Sequence, residues 1–363
     1  MSTIYDVAKI ANVSPKTVSR VLNNDAPVGE ATRLKVQAAI DQLGYVPSTA
    51  ARAMRSNKSG LIGVITGAIS HNATAGPTGL PDLFIVQGIQ AVIQASSKTL
   101  LIADTGDDSR RVAHLIRTFQ EHRVEGIIYV ADYHQQVSLP VHSKDMAIVL
   151  ANCFDAQQTP AVVPDDEWGQ YHLLKRILSA GHRRVAYLSL DEQMVATDLR
   201  TKGYCQALNE AGIDIDPALI LCADTLEQVD NKALVEQAVD RLLALPQPPS
   251  VICCGNDKMA LKLYGILRSR GVRIPEAISV AGYDNYLSIT ESLYPSLTTV
   301  DLAYREIGAE AARLLLKQIQ DKQFQLLAAP IRVASPVVWR HSVLPYDTKK
   351  RSTDDDRSLV TRE

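Results

Sequence analysis

The chain has 363 residues, 46% hydrophobic and 21% charged, with a net charge of −2. That length suits two or three domains of ordinary soluble composition, and no apolar run reaches the roughly 18 residues that cross a bilayer. The opening MSTIYDVAKI lacks a basic stretch followed by an apolar one, and five scattered cysteines show no CxxC or Cys/His spacing, so we expect no secretory leader, no metal site and a cytoplasmic protein with reduced thiols.

Charge is unevenly placed. Residues 1–58 hold eight Lys and Arg against four Asp and Glu, while the remainder holds thirty against thirty-six. A basic head on an acidic body points to a polyanion that meets the head alone.

Thr3 with Asp6 reads as a helix start, and Val7, Ala8, Ile10 and Ala11 give the first helix its apolar stripe. ANVS breaks that helix. Ser14 can cap a second one, with Pro15 at its first position, running to about Asn23. Its apolar face is Val18, Val21 and Leu22. Its polar face is Lys16, Ser19, Arg20 and Asn23. A third helix over about 30–43 buries some of Leu34, Val36, Ala39, Ile40 and Leu43, with Gly44 as its stop. Two helices joined by a tight turn, with a third behind them, describe a helix-turn-helix unit whose second helix enters the major groove. Lys16 and Arg20 project together, and an arginine can bind guanine O6 and N7 with two hydrogen bonds. Thr17, Ser19 and Tyr5 can donate to phosphates. Pattern alone leaves an ordinary three-helix bundle with a solvated basic face equally open.

The stretches YDVAKIANVSPKTVSRVLN and ATRLKVQAAIDQLGYVPSTAARAMR resemble the LacI/GalR family of bacterial transcription regulators in order and without gaps. The resemblance implies that Pro15, Lys16 and Arg20 read an operator, while Tyr5, Thr17 and Ser19 hold the backbone. PSTAARAMR would then be a hinge helix that orders when two copies pair over the minor groove. There an apolar wedge kinks the duplex. Met54, with Ala51 beside it, stands where the family usually has Leu.

The body alternates apolar runs with amphipathic segments. Strand-like runs are 61–66, 99–104, 126–131, 147–152, 184–190, 251–257 and 278–284; helical segments lie near 86–97, 108–122, 168–180, 198–212, 227–245 and 257–270. Such alternation means parallel sheets covered on both faces, here enough for two α/β lobes. Ligands bind beyond the carboxyl ends of such strands, which places a site in the cleft. GxGxxG, GxxxxGK[ST], HExxH and GxSxG are all missing, so no enzyme and no cofactor is expected. Asp165 to Glu167 reads as a solvated helix start rather than a metal cluster. Cys253 and Cys254 read as small core residues, and Asp257 as the cap of the helix after it.

GHRRVAYLS, RTKGYCQAL, CGNDKMALKLYGILRSRGVRIPEAISVAGYDN and PSLTTVDLAYREIGAEAARLLL extend the resemblance to that family's sensor core, which is similar to periplasmic sugar-binding proteins. Arg200, Asn256 and Asp284 follow or end strands and supply a donor, a mixed group and an acceptor, a set that matches vicinal hydroxyls. The resemblance adds Tyr304 against the sugar ring and Asn152 as a further polar contact. Ala68–Phe84 is longer than the family's usual loop and reads equally as a plain insertion or as a cleft-mouth element for a larger effector.

The resulting expectation is an N-terminal helix-turn-helix domain (1–46), a hinge helix (47–58), a two-lobed core (59–340) and a disordered polar tail (341–363). The function implied is that of a homodimeric repressor of carbohydrate-utilisation genes on a near-palindromic operator, controlled by a small sugar or sugar derivative bound between the lobes. A transporter's solute-binding protein is opposed by the basic head and the missing leader. A sugar-modifying enzyme is opposed by the missing catalytic motifs.

Overall fold

The computed structural model describes residues 2–23, 27–46, 59–67, 82–106, 108–140, 146–226, 231–321 and 329–346. The chain divides into two compact units, one on the N-terminal helices and one on the sheets.

The head holds α1 (Ile4–Ala11), α2 (Pro15–Asn23) and α3 (Glu30–Leu43). Thr3 and Asp6 form a reciprocal capping box on α1, and Asn12 ends it in the left-handed region at φ 53°. Ser14 Oγ accepts from the Thr17 amide at 3.1 Å, which starts α2. Gly44 closes α3 at φ 55°. Val7, Ala8, Ala11, Val18, Val21, Val36 and Ala39 form its core. Ile10, placed on the apolar stripe of α1, is exposed; of the five α3 candidates Val36 and Ala39 are buried and Leu34 is exposed.

The core unit has two lobes. The N-lobe sheet is made of β1 (Leu61–Thr66), β2 (Thr99–Asp104), β3 (Gly126–Gln136), β4 (Ala147–Phe154), β5 (Ala161–Pro164) and β11 (Ile331–Val333). Their spatial order is β11-β5-β4-β3-β1-β2. The C-lobe sheet has β6 (Val185–Ser189), β7 (Ile220–Cys222), β8 (Val251–Cys254) and β9 (Ser279–Ala281), in the order β7-β6-β8-β9. Pairing is parallel along β11-β5-β4-β3-β1 and along β7-β6-β8-β9. A short antiparallel ribbon pairs β10 (Thr299–Val300) with β12 (Val337–Val338).

The central strands β1 and β4 and the first half of β3 are apolar and buried, as are β6 and β8, because helices cover both faces. In the N-lobe α4 (Asp82–Gln94) and α11 (Tyr304–Gln320) pack together on one face. They touch backbone to backbone: a Cβ on Gly88 would lie 1.9 Å from the Arg305 carbonyl oxygen, and one on Gly308 1.9 Å from that of Ile85. The N-lobe also has α5 (Val112–Glu121). The C-lobe is covered by α6 (Asp166–Ser179), α7 (Val195–Glu210), α8 (Lys232–Leu243) and α9 (Asp257–Ser269), with the short α10 (Leu287–Thr290) beyond β9.

The chain passes between lobes three times: after β5, after β10 and after β11. Two boundaries shift, and one expectation falls outside the described residues. Residues 341–346 belong to the C-lobe rather than to a tail: Val343 is buried in its core, the Leu344 carbonyl lies 2.8 Å from His182 Nε2, and the Tyr346 amide donates to Ala180. The last three residues of the Ala68–Phe84 loop open α4, while 68–81 lie outside the described residues. The hinge, with Ala51 and Met54, also lies outside them.

Candidate functional site

On the head, Lys16 and Arg20 stand one turn apart on α2 and both are exposed. Tyr5 on α1 is 70% exposed. Pro15 and Thr17 are half-buried at the start of α2, where the Thr17 hydroxyl lies 2.9 Å from Ser14 Oγ. Ser19 departs from its expected place on the polar face. It is 9% exposed and takes a hydrogen bond from the Asn23 carboxamide at 3.3 Å. The reason is that α2 packs on both α1 and α3, so its buried arc widens from Val18 to Ser19 and Val21.

In the core a cavity of about 160 Å³ opens between the lobes. Asn152, Arg200, Asn256, Asp284 and Tyr304, the five residues singled out from the sequence, all line it. Asn152, Asn256 and Asp284 lie at or just past the ends of parallel strands, Tyr304 starts the helix after a crossing, and Arg200 stands in the second turn of α7, so the topology delivers them to one place.

Their local settings differ. Asn152 sits near the end of β4 at φ 62° and donates to the Ala131 carbonyl at 3.0 Å. Asn256, not Asp257, caps α9: its Oδ1 accepts from the Met259 amide at 2.7 Å, leaving its NH₂ group as the cavity donor. Asp257 is instead fully buried, accepting from the Tyr286 amide at 2.8 Å and the Thr299 hydroxyl at 2.7 Å. Burial, and then the nearby Asp284, hold its pKa well above the usual carboxylate range. Asp284 has φ 118°, a costly conformation for a residue with a Cβ. Burial pushes its pKa up to about 7, against the pull of Arg200 and Lys258. Asn285 at φ 57° and Ala303 at φ 48° add left-handed backbone beside Asp284 and Tyr304. Burial keeps the Tyr304 hydroxyl neutral, as both donor and acceptor.

Arg200 is 4% exposed and already paired. Its Nε lies 2.8 Å and its Nη2 2.7 Å from Asp166 Oδ1, and Nη1 donates to the Gly255 carbonyl at 2.5 Å. Its guanidinium carbon lies 3.7 Å from the centre of the Tyr283 ring. Asp166 is therefore no part of a solvated run. It is completely buried, and its other oxygen lies 2.8 Å from His134 Nδ1. Burial alone would raise its pKa; Arg200 and His134 outweigh that and hold it below the ordinary value. Asp165 is the residue that caps α6.

The cavity also takes Asp132, Tyr133 and His134 from the end of β3, Asp224 from beyond β7, and Lys258 from α9. Burial raises the pKa of Asp224, which accepts from Asn231 at 2.5 Å and from the Thr225 amide at 3.0 Å. Carboxylates that accept, amides and cations that donate, and two tyrosines make a polar wall able to bind a small molecule.

A helix-turn-helix head and a two-lobed core with its cavity at the carboxyl ends of parallel strands define a class, that of a nucleic-acid-binding unit carried with a ligand-binding sensor. Residues 3–48 match the family described as bacterial regulatory proteins, lacI family, and residues 174–343 match a periplasmic binding protein-like domain. The HTH-type transcriptional repressor PurR of Vibrio atlanticus (strain LGP32) is 33% identical over 331 residues, 90% of this chain and 94% of that one. A solved complex of the transcriptional regulator CelR with cellobiose is 26% identical, with a TM-score of 0.64 over 94% of this chain and all of that one. A lac repressor dimer, bound to operator and the anti-inducer ONPF, shares the fold at 23% identity, with a TM-score of 0.74 over 94% of this chain and 99% of that one. The chain belongs to the LacI family of bacterial regulatory proteins.

Proposed function

We propose that this protein is a cytoplasmic, homodimeric repressor that binds a near-palindromic operator through its heads and a small sugar or sugar derivative through its core. The observation that carries the effector half is the convergence of Asn152, Arg200, Asn256, Asp284 and Tyr304 on one cavity. Lys16 and Arg20 read base edges with Pro15 at the groove; Tyr5 and Thr17 hold phosphates, and Ala51 and Met54 serve the hinge. Ser19 supports the seat of α2 from within. Effector binding changes the setting of the lobes, and the difference in operator affinity between the two settings is the regulation. Three carboxylates on the cavity wall favour a ligand with many O–H donors, and the cellobiose complex of CelR supports a carbohydrate.

A flat heterocycle of the purine kind is the second reading. Tyr133 and Tyr304 line the cavity, where tyrosine rings can stack on such a ligand, and the PurR relatives are more similar in sequence than CelR. A thermal-shift screen of sugars, sugar phosphates, nucleobases and nucleosides tests both. A ligand at 100 times its Kd adds about 2.7 kcal/mol to the native state. A sugar hit lost in Asp284→Ala supports the first reading, and a nucleobase hit the second. A hit indifferent to Asp284→Ala and Arg200→Ala moves the site elsewhere.

A further inference from the structure

Asp166 plays no part in the function just described, yet it is among the most enclosed charges of the core. One of its oxygens is held by Arg200 through two nitrogens, and the other meets His134 at 2.8 Å. His134 comes from β3 in the N-lobe, whereas Asp166 and Arg200 come from α6 and α7 in the C-lobe. The contact thus runs from lobe to lobe, with both faces of the junction buried. Arg200 alone would neutralise the carboxylate; the second oxygen is used to engage the opposite lobe.

We infer that Asp166 is the hub of a latch between the lobes, holding His134 on one wall of the effector cavity and Arg200 on the other in a fixed register. His134 and Arg200 both face the cavity, and Asp166 does not line it. The hub reaches two further parts of the wall. Tyr283 lies against Arg200, donates its hydroxyl proton to the Asp166 carbonyl at 3.0 Å, and directly precedes Asp284. Gly255 accepts from Arg200 and directly precedes Asn256. A shift of the lobes that breaks the His134 contact leaves a buried carboxylate half-served, which favours one setting over intermediate ones. A ligand that draws on His134 or Arg200 changes that balance. Asp166 and His134 are positioning residues in this scheme, which rests on the cavity being the effector site.

Hydrogen-exchange mass spectrometry on the intact protein, with neither effector nor operator, tests the latch apart from that reading. Loss of one charge-assisted hydrogen bond raises the open population about tenfold. His134→Leu is expected to speed exchange by that factor both at the end of β3 and in the first turn of α6, in opposite lobes. His134→Asn, whose amide stands in for Nδ1, is expected to restore slow exchange at both. Faster exchange confined to β3, or none at all, overturns the latch, as does equal acceleration in His134→Asn. Should His134→Leu not fold, His134→Val, which suits a strand, takes its place with the same outcomes.

Discussion

At the residue scale, Asp284 ties the cavity to pH. Its pKa stands near 7 in the folded chain against an ordinary 3.8, so between those values the folded state binds more protons than the unfolded one. Stability from this group is full below about pH 4 and is lost as pH rises through about 7. Asp284→Asn is expected to remove that part of the decline in melting temperature between pH 5 and pH 8 in scanning calorimetry; Asp257, raised in the same direction, keeps a remaining slope. On the head, Arg20→Ala is expected to cost about 1–3 kcal/mol of operator binding and to relax preference at one base position. Tyr5→Ala is expected to weaken binding evenly across operator variants. Gel shifts over a panel of mutated operators separate the two.

At the scale of elements, the contact between α4 and α11 leaves no room for a methyl group on either glycine. Alanine is the better helix former by about 1 kcal/mol, but a Cβ at position 308 would meet a backbone carbonyl that cannot rotate away. Gly308→Ala is expected to lower stability by about 1–3 kcal/mol, read from the shift of the thermal melt. This contact was not legible in the sequence. YREIGAEAARLLLKQIQ has no capping side chain, because its N-cap residue is Ala303, which enters the helix from the left-handed region and has no side-chain acceptor. The strands buried on both faces were legible as unbroken apolar runs. The short strands β5, β7, β10, β11 and β12 were not, being two to four residues long. The same difference governs the site. Asn256 and Asp284 stand at the ends of apolar runs and announce themselves. His134 lies where β3 outlasts its apolar run, in the polar DYHQQ. Asp166 carried a local sign of a helix start, while its partner Arg200 sits 34 positions on. Spacing along the chain cannot show such a pair.

At the scale of the molecule, head and core are separate compact units with their own apolar centres. Two melting transitions are expected in calorimetry. A cavity ligand is expected to raise the core transition alone, by about 2.7 kcal/mol of stability at 100 times its Kd; equal movement of both would show that the head melts with the core. The three crossings have a consequence for synthesis. On the ribosome the head is complete once α3 has emerged, before any strand of the core is made. The N-lobe must wait for α11 and β11, which follow nearly the entire C-lobe, and the C-lobe in turn waits for Val343. Neither lobe can close until β11 and Val343 have been made, so a message cut short near residue 300 yields a DNA-reading head attached to a sensor that cannot form.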